Sequence, residues 1–75
     1  MVKRYRIYGV DSEGREWTLA ADDRFVFRCP CCNCIIMVEG EDVYAYRTLD
    51  DLIYALKREV AEEGAKIVDV YVEEW

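Results

Sequence analysis

Apolar and polar positions alternate along the first two thirds of this chain. Tyr5 and Ile7 are separated by Arg4, Arg6 and Tyr8, so Lys3 and Tyr5 share one side of an extended segment while Arg4 and Arg6 share the other. Asp11-Ser12-Glu13-Gly14 then supplies a turn with glycine at the left-handed position. Trp17, Leu19 and Ala21 alternate beyond it, which predicts a β-hairpin. Asp22-Asp23 is a second polar break. After it, Phe25, Val26 and Phe27 lead into a cysteine cluster and Ile35 to Val38 lead away from it. A third break, Glu39-Gly40-Glu41-Asp42, precedes Val43-Tyr44-Ala45-Tyr46.

The period changes after residue 47. Leu49, Leu52, Ile53, Leu56 and Val60 recur at the spacing of one helical face, and Thr48 followed by Asp51 resembles a capping box with Asp in place of Glu. Gly64 stands where a left-handed C-cap is wanted. Lys66 to Val72 alternates again, with Val68, Val70 and Val72 on one face and Asp69 on the other; were that second face buried, Lys3 or Arg6 would be the partner for Asp69. A strand, a helix and a strand joined by short loops predict a right-handed crossover, so the strands near 43–47 and 67–72 are expected to be parallel, paired directly or with another strand between them.

These elements predict one α+β domain over residues 1–75. Its sheet is mixed, mostly antiparallel, with four to six strands and one amphipathic helix at about 49–63 packed on one face, in the order β-β-β-β-β-α-β. One helix cannot cover both faces. The second face is therefore polar, covered by the cysteine loop or used in self-association, and Tyr8, Tyr44, Tyr46, Tyr71, Trp17 and Trp75 offer aromatic surface for a homodimer. The competing reading is that these aromatics fill a small core.

Composition narrows the function classes. Ten Lys and Arg against 16 Asp and Glu give a net charge of -6, which disfavours nucleic acid, and the short basic run Lys3 to Arg6 reads as a solvated strand face. No stretch approaches the roughly 20 apolar residues of a membrane span, and the charged N-terminus does not read as a signal peptide. A soluble, cytoplasmic protein is expected, whose cysteines would then be thiols rather than disulfides. With no histidine there is no Ser-His or Cys-His pair, and no glycine-rich phosphate loop is present, so enzyme activity is not expected. Glu39, Glu41 and Asp42 read as a solvated turn rather than a hard-cation site.

The remaining chemistry lies in Cys29-Pro30-Cys31-Cys32-Asn33-Cys34, which holds all four cysteines of a 75-residue chain. Two Cys-x-x-Cys pairs interleave, Cys29 with Cys32 and Cys31 with Cys34, and Asn33 tolerates the left-handed backbone that tight thiolate turns need. Phe27 to Cys32 resembles one knuckle of a zinc ribbon, which would make Cys29 and Cys32 ligands. No second Cys-x-x-Cys follows to complete a tetrahedron. A mononuclear site must be completed by Cys31 or Cys34, by a carboxylate, or by zinc shared across a dimer. Because neighbouring side chains diverge, Cys29, Cys32 and Cys34 with an outside fourth ligand is the less strained set. The whole Cys-x-Cys-Cys-x-Cys string is similar to those of metallothioneins, which implies soft ions such as Cu(I). Cys29-Pro30-Cys31-Cys32 also resembles the Cys-Pro-x-Cys of glutaredoxins, but Ile35 to Val38 reads as a strand where those proteins have the helix that activates the first thiol.

Three functional readings follow. The first is a non-enzymatic protein whose Cys29, Cys31, Cys32 and Cys34 bind zinc, or another soft or borderline metal, for structure or assembly. The second is a metal-free structural or interaction module with disulfide-bonded or incidental cysteines. The third is a thiol redox protein. The local consistency of Thr48 to Glu74 also resembles a computationally designed α/β miniprotein or a hyperthermophile protein, either of which implies thermostability.

Overall fold

A computed structural model describes residues 3–21 and 23–74. Six strands and one helix run in the expected order: β1 Arg4–Asp11, β2 Glu16–Ala20, β3 Phe25–Arg28, β4 Ile35–Glu39, β5 Asp42–Tyr46, α1 Leu49–Glu62 and β6 Ile67–Glu74. Parts of the second break and of the aromatic set, Asp22 and Trp75, lie outside the described residues.

All six strands form one sheet, and every ladder among the described residues is antiparallel. β1 is its spine. One edge of β1 pairs with β6 along nearly its whole length; the other edge is divided between β2, at Ile7 to Val10, and β3, at Arg4 and Tyr5. From β3 the sheet continues through β4 to β5. The alternation of directions makes β5 and β6 point the same way, as the crossover predicts. They do not pair: β4, β3 and β1 lie between them, so no parallel ladder forms and the sheet is not mixed.

The strictest alternation in the chain is structural. Tyr5, Ile7, Gly9 and Asp11 face the helix and are buried, while Arg4, Arg6, Tyr8 and Val10 face the other side. The core consists of Tyr5, Ile7, Leu19, Ala20, Val26, Ile35, Met37, Leu52, Leu56, Val60, Ala65 and Ile67, with the outer members of the predicted helical stripe, Leu49 and Ile53, packed against it. Thr48 caps the helix as expected, its Oγ1 accepting the Asp51 N–H at 3.2 Å. At the other end Gly64 has φ +89, and the Ala65 N–H reaches the Val60 carbonyl at 3.4 Å, which is the Schellman closure.

Two strand expectations are corrected by bulges. In β2 the register slips between the Ile7 and Tyr8 positions, so Leu19 and Ala20 are both buried and Ala21 is not the next core residue. In β6 the slip falls opposite Val10 and Asp11. Ile67 enters the core, whereas Val68 is exposed and Val72 only partly covered. Asp69 is exposed and needs no buried partner; Lys3 pairs with Glu74 at 2.9 Å. The aromatic set is divided as well. Tyr8 and Tyr71 are cross-strand partners on the side away from the helix, Tyr44 and Tyr46 lie on the helix side of β5, and Trp17 packs against the core.

Candidate thiolate site

The cysteine loop joins β3 to β4. Arg28 and Ile35 form the last ladder pair, and the loop closes immediately beyond it: the Cys29 N–H donates to the Cys34 carbonyl at 2.8 Å, and the Asn33 N–H to the Cys29 carbonyl at 2.9 Å. The closure needs a left-handed residue, and Asn33 supplies it with φ +63. Arg28 braces the loop from the strand. Its guanidinium donates to the Asn33 carbonyl and to the Tyr5 hydroxyl, at 3.3 and 3.2 Å, tying the loop to the buried end of β1.

All four cysteines are thiols, with Cys29 and Cys34 half-buried and Cys31 and Cys32 exposed. Their environments differ. The backbone N–H groups of Cys32 and Cys31 point at the Cys29 sulfur, and together with the Cys32 thiol they hold the Cys29 pKa below that of an ordinary thiol. For Cys32 the N–H of Cys34 also favours the thiolate. The thiols of Cys34 and Cys29, slight desolvation and the neighbouring Cys29 charge outweigh it, and the Cys32 pKa is raised. Cys34 Sγ lies 3.9 Å from the Cys32 carbonyl, returning the chain over the same turn.

β4 follows the loop as a strand, so the helix dipole of the glutaredoxin arrangement is absent, as the sequence implies. Cys29 is nevertheless activated, because a tight turn aims two peptide N–H groups at one sulfur. Such a nest supplies the electrostatic function of a helix N-terminus over a few residues. Pro30 and Asn33 are its only sequence signals.

A tetrahedral metal needs four donors. Among the described residues no group of three or more Cys, Asp or Glu side chains is arranged to hold a metal ion. Cys29 and Cys32, whose thiols meet each other while that of Cys31 also reaches Cys29 and that of Cys34 reaches Cys32, fit as half of such a set. The acidic turn does not complete it. Glu39 is engaged by Arg24, and Glu41 and Asp42 are exposed at the opposite end of β4 and β5.

Arg24 is the feature that sequence patterning passes over. Arg24 donates to Glu39 on β4, to Glu59 on α1 and to the Leu19 carbonyl at 3.1 Å, so one guanidinium joins three elements. Neither a family model, nor a curated protein, nor a solved structure matches this chain, and its function has to be argued from these residues.

Proposed function

We propose that this chain is a small, non-enzymatic metal-binding module of a reducing, cytosolic environment, whose hairpin loop presents Cys29, Cys31, Cys32 and Cys34 to a soft or borderline ion, zinc foremost and Cu(I) next. The observation that carries this reading is the Cys29 cradle. Peptide N–H groups directed at a sulfur stabilise a thiolate, and the thiolate is the form that ligates metal. Cys32, next to it and exposed, is the second donor. Binding at this loop would tie β3 to β4 and add stability to a domain whose core is small.

Zinc titration of reduced, chelator-treated protein tests the proposal, with Cys29→Ser and Cys32→Ser beside the parent. Uptake of zinc that protects thiols from alkylation, and its loss in both variants, is the expected result. Protein that takes up no zinc at micromolar concentrations overturns it and leaves the metal-free interaction module.

A second reading is favoured by the opposite shifts of Cys29 and Cys32. A stabilised thiolate beside a protonated thiol is the arrangement for dithiol exchange. The Cys29 thiolate would attack a small-molecule disulfide and release one thiolate; the Cys32 thiol would then resolve the mixed disulfide, forming Cys29–Cys32 and releasing the second. A denatured mass 2 Da lower after treatment with oxidised glutathione, absent in either Ser variant, is its signature.

A further inference from the structure

The helix carries charge of opposite sign on its two flanks. Towards β2 lie Glu59 and Glu63, which border a hollow beside Arg24. Towards β6 lie Tyr54, Lys57, Arg58 and Ala61, at the spacing of neighbours on one helical surface. Lys66, just before β6, and Ile67, its first residue, stand across from them. The six side chains enclose a shallow hollow of about 280 Å³, and no acidic residue lines it.

That grouping runs against the composition. The chain has 10 Lys and Arg for 16 Asp and Glu, and Lys3, Arg15 and Arg24 are all held by carboxylates. The side chains of Lys57, Arg58 and Lys66 form no ion pair among the described residues; the Arg58 guanidinium instead stands 6.0 Å from the centre of the Tyr54 ring. Glu62, one turn beyond Arg58, and Asp50, one turn before Tyr54, are exposed and lie outside the hollow. Its floor is of another kind. Ile67 belongs to the core and Ala61 adds a methyl group, while long basic side chains lay their alkyl stems on apolar surface and keep their charged heads in water. The hollow therefore has an apolar floor and a cationic rim, and three like charges without a counter-charge favour an anion among them.

We infer that this hollow binds a small organic anion with an apolar body, such as a medium-chain carboxylate. The carboxylate sits among Lys57, Arg58 and Lys66, and the chain lies over Ile67 and Ala61 against the Tyr54 ring, which is 65% exposed without it. The volume falls just under the roughly 300–1,000 Å³ of pockets that enclose drug-sized ligands, so a short chain fits. An acidic polypeptide would spread its carboxylates along a backbone. Three cations from two elements around one hollow suit a single head group instead. The site is independent of the thiols: Ile67 pairs with Asp11 at one end of β1, whereas the strand leading into the cysteine loop meets Lys3 at the other.

Amide NMR of the reduced, isotope-labelled chain, titrated with sodium octanoate, octylammonium chloride and sodium acetate, tests this. Octanoate is expected to shift the amides of residues 54–61 and 66–67 saturably, with a Kd of about 1 mM or below. Octylammonium, which shares the chain, and acetate, which shares the head group, should each bind at least about tenfold more weakly. Lys66→Glu should weaken octanoate binding at least about tenfold with circular dichroism unchanged, and Lys57→Glu should do the same from the helix side. Cys29→Ser should bind octanoate as the parent does. Octanoate and octylammonium that bind alike would reduce the hollow to an apolar patch and overturn the inference. So would the lack of a saturable shift up to about 10 mM octanoate, or shifts confined to the side of the sheet away from the helix. Shifts at the same amides that grow with protein concentration alone would assign the hollow to a second copy and overturn it as well.

Discussion

Asp11 reads in the sequence as an ordinary turn residue, yet it is the polar group at the centre of the first hairpin. It is 2% exposed, and its carboxylate accepts from the backbone N–H groups of Glu13 and Arg15, from the Arg15 guanidinium and from the Trp17 indole. The indole hydrogen bond above all, with the backbone and Arg15 donors, holds its pKa down to about 2, against the opposing effect of burial. A carboxyl with a depressed folded pKa contributes stability above its unfolded pKa, and that contribution fades as pH falls through the folded value. Asp11→Asn is therefore expected to lower the melting temperature by a constant amount above about pH 5, with the difference from the parent shrinking between about pH 4 and pH 2. Thermal melts by circular dichroism check this, and a difference that persists unchanged at pH 2 would refute it. Periodicity cannot reveal Asp11, because its role depends on Trp17 arriving from the next strand. Cys29 is the same kind of case: its spacing is legible and its environment is not. The N–H cradle predicts that Cys29 is alkylated at lower pH than Cys32, which peptide mapping after limited iodoacetamide treatment measures.

At the scale of elements, those set by local signals are the legible ones. The helix carries its cap, stripe and terminal glycine within 17 residues, from Thr48 to Gly64. Thr48→Ala should cost about 1 kcal/mol, lowering the melting temperature by several degrees in a domain of this size. Where two elements must meet, the sequence is silent. Arg24 sits in a break between strands, and only the packing of α1 and β4 brings Glu59 and Glu39 to it. Arg24→Ala should destabilise by about 1–2 kcal/mol, the partners being partly solvated. A loss confined to low salt would reduce the clamp to a surface ion pair. Gly9 behaves likewise: a Cβ there would lie 3.1 Å from both the Leu19 and Ile67 side chains, so Gly9→Val is expected to overpack the β2–β1–β6 junction at a cost of about 1–3 kcal/mol, read by denaturant titration.

For the whole molecule, the sheet order decides where stability is concentrated. β1 and β4 are held on both edges for most of their length, β1 being the longer, whereas β5 lies at one margin with most of its side chains exposed. Amide hydrogen exchange should be slowest from Tyr5 to Gly9 and fastest in the cysteine loop and β5 of the monomer. Uniform exchange across the sheet would contradict this distribution.

The amino-acid sequence by itself determined the elements and their order, because periodicity, caps and turn residues act over a few neighbours. It also confined any thiol chemistry to Cys29–Cys34, which hold every cysteine of the chain. The tertiary structure alone decided that β6 returns to β1 across the sheet from β5 and that Ile67 displaces Val68 from the core. It alone turned two peptide N–H groups onto Cys29 and gathered three cationic side chains around one hollow. Each of these depends on groups distant in sequence, or on a backbone turn that a residue string does not specify, and such contacts exist only once the sheet has closed.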